Sequence, residues 1–415
     1  MEFLYYNTAF FLTLLIVLVK IKAHALSIMA VALWLFGSIN TIIYTNIIHL
    51  GYTSFETSSV IFLDLCIAIY VIPLAKIKTP QFHIKENILY NFECLMLFLG
   101  VLSALPFVEH LIYMVQTFSA PSNSIVDMYD DKMDGKANLI TWLDPFAYFL
   151  YGIVGNFRFI TTFLLFIICC KRKKIANWKL ILYCIAVLTP IVGSINTSGR
   201  GSFFFFLITF SILLFMLRKN IVIAIPRTMK IGFIAIISAF VFAVIMITIL
   251  RNDGSDYSAW IWSTLYFGEG QLNFFESMWN IRTFTEGDNS FSFFKRILGM
   301  DTFIDYLDRR EYWHMGKTGV DPVRFYTFIG DWFSDIGYFT IVLIAFLSFM
   351  MYRVVKSKKW TILNLYWLYI YCYIVCTSFT CYSLKSYFNT YHVVLGAILI
   401  FIVSKVKIIF SINGK

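Results

Sequence analysis

Residues 26–48 of the chain read LSIMAVALWLFGSINTIIYTNII and contain no charged side chain. A run of this length is enough to cross about 30 Å of hydrocarbon as an α-helix. A helix satisfies its own backbone hydrogen bonds, which a segment surrounded by lipid must do. The stretch therefore predicts a membrane-spanning helix.

Similar apolar runs recur along the whole chain. We predict about eleven spans, at residues 3–19, 26–48, 58–75, 91–112, 146–170, 178–196, 201–217, 229–250, 336–353, 360–382 and 390–410. The predicted fold is therefore all-α: a polytopic integral membrane protein, forming a single membrane domain over residues 1–415. The first run lacks a basic leader and a small-residue cleavage site, so we expect it to be retained as a span.

The composition supports a membrane protein and excludes a soluble one. Of the 415 residues, 59% are hydrophobic and only 14% are charged, and the mean hydropathy is +0.75. The net charge of +10 could suggest nucleic acid as a partner. However, most of the cations flank predicted spans, where they set orientation. We therefore expect no nucleic-acid partner.

The positions of the cations predict the orientation. Every second connection between spans is basic, beginning with Lys20 and Lys22 and ending with Lys405, Lys407 and Lys415. Connections rich in lysine and arginine stay in the cytoplasm. The N-terminus is therefore predicted outside and the C-terminus in the cytoplasm.

Two predicted outer segments are long. Residues 113–144 form an acidic loop, and residues 251–335 form a large outer, periplasmic loop rich in aromatic and arginine residues. Long loops cross a membrane largely regardless of charge. Arginine binds phosphate and carboxylate in a bidentate way, so this loop suits an anionic, lipid-linked substrate. Its cations are Arg251, Arg282, Lys295, Arg296, Arg309, Arg310, Lys317 and Arg324.

Two arginines stand apart from the basic inner connections. Arg200, in the short turn Thr197–Gly201, is a cation on the outer side. It is either a ligand for an anion or an interfacial side chain reaching lipid headgroups. Arg158 falls near mid-bilayer if its span is straight, where a charge needs a polar cavity or a partner. A ligand role and a structural pair with Asp64 remain open.

A cluster of basic residues lies late in the large loop. Arg309, Arg310, His314, Lys317 and Arg324 fall within sixteen residues. Several converging cations could form an anion site, whereas each one alone could simply pair with a nearby acid on a solvated face.

The stretch Tyr326–Phe339 leads from this loop into the next span. Asp331 or Asp335 could act as a general base on a sugar hydroxyl. Alternatively, one of them caps the helix and the glycines serve packing. No Walker A sequence, zinc-hydrolase motif or Gly-x-Ser-x-Gly sequence occurs, and we expect neither a metal nor a cofactor.

Two of these segments resemble the motifs of the bacterial O-antigen or oligosaccharide repeat-unit polymerases, the Wzy family. The resemblance rests on the Ser198-Gly199-Arg200-Gly201 turn between middle spans. It also rests on Thr327, Gly330, Asp331, Asp335 and Gly337 at the end of a large outer loop. The very hydrophobic chain with about eleven spans is similar to those of the family.

The resemblance implies a glycosyltransferase in the bacterial inner membrane. A glycan on undecaprenyl diphosphate would be transferred to the next lipid-linked repeat unit to build O-antigen or capsular polysaccharide. Arg200, Arg251, Arg310, Arg324 and Arg158 would bind diphosphate, and Asp331, Asp335 or His314 would be the catalytic base. A chain-length regulator and a flippase are the implied protein partners.

Two other classes remain open. The first is a flippase for the same lipid-linked units, against which the odd span count and the large loop argue. The second is an O-antigen ligase or a glycosyltransferase that uses a polyprenyl-phosphate sugar.

Overall fold

The computed structural model describes residues 2–48, 56–78, 82–119, 144–196, 201–223, 238, 259–303, 308–309, 311–320, 326–357 and 360–405. Every regular element in these ranges is a helix. The prediction of an all-helical chain is confirmed for them.

The helices are numbered in chain order. They are α1 (Glu2–Lys20), α2 (Ala25–Ile48), α3 (Thr57–Ala75), α4 (Glu86–Ser119), α5 (Pro145–Gly155), α6 (Arg158–Lys171), α7 (Asn177–Asn196), α8 (Gly201–Leu217), α9 (Ala259–Glu276), α10 (Ser292–Ile297), the π-helix α11 (Glu311–Thr318), α12 (Phe328–Ile336), α13 (Thr340–Lys356), α14 (Ile362–Thr377) and α15 (Tyr387–Lys405). Short 3-10 turns occupy Met278–Asn280, Gly337–Phe339 and Ser383–Lys385.

Several of these helices have the length and apolarity of membrane spans. Six segments in the described residues qualify, and the bent pair α5 and α6 makes a seventh if it is one span. Three further apolar helices, α7, α8 and α14, are shorter. The chain is thus a helical membrane protein, and the figure of eleven spans stays a prediction. The predicted span 229–250 lies outside the described residues.

The chain divides into two compact units, which are described separately. Unit one comprises residues 1–80, 257–360 and 367–391. Unit two comprises residues 81–256, 361–366 and 392–415.

In unit one, α2 and α9 pack closely because glycine lies at their crossing. A Cβ added to Gly268 would be 2.6 Å from the backbone nitrogen of Thr41. The Thr41 hydroxyl donates to the Gly268 carbonyl at 2.9 Å. Small residues allow this approach in membrane helices, and an interhelical hydrogen bond reinforces it.

In unit two, three predicted inner connections meet at one end. Arg172 forms ion pairs with Glu86 and Glu93, and the Lys171 ammonium donates to the Phe82 carbonyl at 2.6 Å. The backbone nitrogen of Val222 donates to the Cys169 carbonyl at 3.2 Å. The predicted orientation requires these connections to share one side of the membrane, and it stays a prediction.

Candidate functional site

The junction between the large loop and the next span is built by α12. The Thr327 side chain accepts from the backbone nitrogen of Gly330 at 3.1 Å and caps the helix. Gly337 ends the helix with a φ of 59° and a ψ of −137°. The alternative prediction that Asp331 or Asp335 caps this helix is therefore wrong. Both aspartates lie inside α12 and are buried.

Asp335 holds the turn 285–290 against α12. One carboxylate oxygen accepts from the backbone nitrogen of Asn289 at 2.9 Å and from the Thr285 hydroxyl. The other oxygen accepts from the backbone nitrogen of Ser290 at 2.8 Å. Both oxygens are therefore engaged in positioning the turn, because buried backbone donors need acceptors.

Asp331 lies one turn earlier and has a different environment. It is fully buried, and its Oδ1 accepts from the Asn289 side-chain amide at 2.8 Å. The Lys385 ammonium lies 3.6 Å from the same oxygen. Within the described residues, Oδ2 has no hydrogen-bond partner. Asp331 thus has one carboxylate oxygen without a hydrogen bond in the described residues, whereas both oxygens of Asp335 accept hydrogen bonds.

The turn is held on its other side by residues of the loop. Asp288 forms an ion pair with Lys295 at 2.5 Å and accepts from the Trp313 indole at 3.1 Å. The buried Arg309 guanidinium donates to the Asn289 carbonyl at 3.1 Å. The described part of the loop therefore packs around a polar centre that holds three acids, Asp288, Asp331 and Asp335, and three cations, Lys295, Arg309 and Lys385.

A small cavity adjoins this centre. Asn289, Arg309, Trp313 and Ser334 line it, together with Thr285, Thr318 and apolar residues. Its volume of about 20 Å³ has room for one water molecule. A sugar does not fit in it, so the ordered polar centre would have to open before a glycan could reach Asp331.

Four of the five predicted diphosphate ligands belong to the part of the chain that the structure does not describe. Arg200, Arg251, Arg310 and Arg324 lie outside the described residues. His314 lies in α11, but its side chain is also outside them.

The described members of the late basic cluster do not lie together as one open patch. Arg309 is buried against the turn 285–290. Lys317 instead lies over the rings of Tyr312 and Trp313, at 4.2 and 5.0 Å from their centroids.

Arg158 lies in unit two, at a break in a helix. α5 and α6 meet at an angle of 68° across residues 156–157, so the straight span on which its predicted depth depended is not present. Asn156 ends α5, where its side chain donates to the Gly152 carbonyl at 2.8 Å. Broken helices inside a membrane occur where the freed backbone faces protein or a water-filled cavity.

Polar side chains gather around this break. The His392 ring lies 2.9 Å from the Asn156 side-chain oxygen. The Tyr151 and His110 rings pack edge to face at 4.6 Å. Arg158 lies within electrostatic range of both Tyr151 and His392. Arg158 is therefore part of a polar cluster in unit two, and the predicted pair with Asp64 stays a prediction.

Sequence reasoning missed Asn289 and Lys385. Lys385 carried a usable signal, because it is a cation in a short predicted outer connection, where the charge rule disfavours one. Asn289 carried a weaker one, because it follows Gly287 and Asp288, residue types that are common in turns. Neither signal identifies the aspartates as their partners.

Comparisons of the chain with protein-family models, with curated proteins and with solved structures returned no match.

Proposed function

We propose that this chain polymerises undecaprenyl-diphosphate-linked oligosaccharide repeat units at the outer face of the bacterial inner membrane. The observation that carries the proposal is Asp331. It is a buried carboxylate beside Lys385, at the point where the large loop joins a span, and one of its oxygens has no hydrogen-bond partner in the described residues. Buried acids with a nearby charge partner are typical of functional sites.

The chemistry proposed for this site is a glycosyl transfer. A hydroxyl oxygen of the acceptor sugar forms a bond to the anomeric carbon of the donor glycan. The bond from that carbon to the carrier diphosphate breaks, and the diphosphate leaves with the electron pair. Asp331 takes the hydroxyl proton as general base. Arginines that bind the diphosphate stabilise the charge that develops on it.

The remaining predicted residues have supporting roles in this proposal. Arg200 and Arg251 are the first candidates for binding diphosphate, and Arg310 and Arg324 follow. Asp335 positions the turn 285–290, and the Asn289 side chain of that turn donates a hydrogen bond to Asp331. His314 remains a second candidate for the base.

The test is deletion of the gene in its host, followed by separate return of the wild-type gene and of an Arg200→Ala version. Surface polysaccharide is then compared on a gel. The proposal predicts that deletion and Arg200→Ala both reduce the ladder to a single repeat unit on its acceptor, while the variant still inserts into the membrane. An unchanged ladder after deletion would contradict the polymerase assignment, and normal chain lengths with Arg200→Ala would remove the role of that arginine.

Transport is the second candidate, and the break between α5 and α6 favours it. Discontinuous helices with polar groups at the break form substrate sites in secondary transporters. Arg158, Asn156 and His392 lie at such a break. The same deletion distinguishes the two functions, since loss of even the single repeat unit would indicate a flippase or a ligase.

A further inference from the structure

The end of α10 and the turn that follows it expose a group of large apolar side chains. Phe294, Ile297, Leu298 and Met300 are 46, 64, 74 and 54% exposed. They lie outside every candidate span in the described residues. Large apolar side chains exposed this close together in the chain indicate a surface that is covered by something else. We call these four residues the apolar tip.

The turn is ordered. The backbone nitrogen of Gly299 donates to the Arg296 carbonyl at 3.1 Å, and that of Met300 donates to the Lys295 carbonyl at 2.9 Å. Gly299 has a φ of 73°, the left-handed conformation that reverses the chain after a helix. The tip is therefore presented by a hydrogen-bonded turn.

Its neighbours place the tip at the level where a span begins. Phe293 is buried against Tyr387 and Tyr391, with ring centroids 5.5 and 6.3 Å apart. Both tyrosines lie in the first turns of α15, a candidate span. Tyrosine is enriched at the boundary between membrane and water. The side chain after Phe293 belongs to the apolar tip, so the tip lies next to this boundary.

The charges beside the tip suit an anionic lipid surface. Arg296 is exposed between Phe294 and Ile297. The neighbouring Lys295 is instead held by Asp288, which connects α10 to the turn 285–290. Exposed apolar residues next to a cation are the pattern of segments that lie in the membrane interface.

We propose that the apolar tip inserts into the interfacial layer of the bilayer that α15 spans, with Arg296 at the level of the lipid phosphates. The occupant of this apolar surface is therefore lipid with anionic headgroups. The insertion holds the turn 285–290 at the membrane surface through Lys295 and Asp288. This inference rests on the membrane character of the chain and stands apart from the polymerase proposal.

The test is photo-crosslinking with the full chain reconstituted in vesicles of phosphatidylethanolamine and phosphatidylglycerol. A benzophenone amino acid replaces Leu298, Phe388 or Glu286 in separate samples. Phe388 is an exposed residue of α15, and Glu286 is an exposed acid of the loop. We expect phospholipid adducts by mass spectrometry at positions 298 and 388 and none at 286. Adducts at 388 alone, or protein adducts in place of lipid at 298, would overturn the proposal.

The role of charge is tested with the same label at position 298. Arg296→Gln should lower the yield of phosphatidylglycerol adducts. Arg282→Gln, at an exposed arginine of the same loop, should leave it unchanged. Equal yields in all three proteins would overturn the assignment of Arg296 to anionic headgroups. No sugar substrate is needed, so a negative result is distinguishable from failure of the polymerase proposal.

Discussion

Asp331 and Asp335 lie one turn apart in α12, but their hydrogen-bond partners differ and indicate different roles. Asp335 uses both oxygens to hold backbone donors of the turn 285–290. Asp331 accepts from one side-chain amide and lies near Lys385. The first arrangement is typical of a structural anchor, and the second leaves room for chemistry.

Substitution by asparagine should separate the structural role of Asp335 from the proposed catalytic role of Asp331. In Asp335→Asn one oxygen becomes an amide nitrogen, which faces a backbone donor and leaves it unsatisfied. We expect a loss of about 1–3 kcal/mol in the free energy of unfolding. Asp331→Asn keeps an oxygen for Asn289 but removes the carboxylate 3.6 Å from Lys385, so some stability should be lost. The variant should still insert and fold, yet it should stop chain growth because the base is lost. Thermal unfolding in detergent and the polysaccharide ladder measure the two effects.

The opposite pattern would refute this division. If Asp331→Asn gives a normal ladder, the base is another group, and His314 becomes the next candidate. If Asp335→Asn unfolds like the wild type, the turn does not depend on that carboxylate.

Gly337 separates α12 from α13, and its conformation explains why glycine is needed there. With a φ of 59° and a ψ of −137°, it lies near a backbone region that only glycine adopts readily. An added Cβ would also lie 2.5 Å from the Phe284 ring. Backbone and side-chain effects therefore act together at this position.

The substitution Gly337→Ala should destabilise the junction by more than its backbone strain alone, which is about 1–3 kcal/mol. Gly299→Ala is a control for an alanine at a positive φ without a steric contact, because nothing lies within 4 Å of a Cβ added at Gly299. A double-mutant cycle of Gly337→Ala with Phe284→Ala isolates the steric part. A coupling energy of zero in this cycle would show that the Phe284 contact contributes nothing.

The elements differ in how well the sequence predicts them. Long apolar runs predicted α1, α2 and α3 closely, because a run of this length needs a helix to cross the membrane. The bend between α5 and α6 was not predicted, since Gly152, Gly155 and Asn156 are each compatible with a straight span. The bend depends on tertiary partners that lie far away in the sequence, such as the His392 ring, which lies 2.9 Å from the Asn156 side-chain oxygen.

The candidate site shows the same limit. The sequence indicated Asp331 and Asp335 because two acids stand where a loop meets a span. It did not predict their partners, because Asn289 is 42 positions from Asp331 along the chain. Pairings over such distances are determined by tertiary packing and leave no local pattern.

For the whole molecule, the orientation in the membrane is the property that the charge pattern predicts most directly. Three connections that are predicted to be cytoplasmic meet at one end of unit two. Lys171 and Arg172 contact Phe82 and Glu93, and Val222 contacts Cys169. Reporter fusions test which side this is. Green fluorescent protein fused after residues 84, 176 or 222 should fluoresce, because these positions are predicted to be cytoplasmic. Alkaline phosphatase should be inactive at the same three positions.

The large loop provides the decisive comparison. A fusion after residue 300 should show active alkaline phosphatase and no fluorescence, because the predicted span 229–250 would carry the chain to the outer side after residue 222. If positions 222 and 300 report the same side, the chain has no span between them, and the predicted count and orientation of the later spans are wrong. This result would contradict the polymerase proposal, which requires Asp331, at the end of this loop, to lie at the outer face of the membrane. Opposite sides at 222 and 300 would place the candidate base where a lipid-linked glycan arrives.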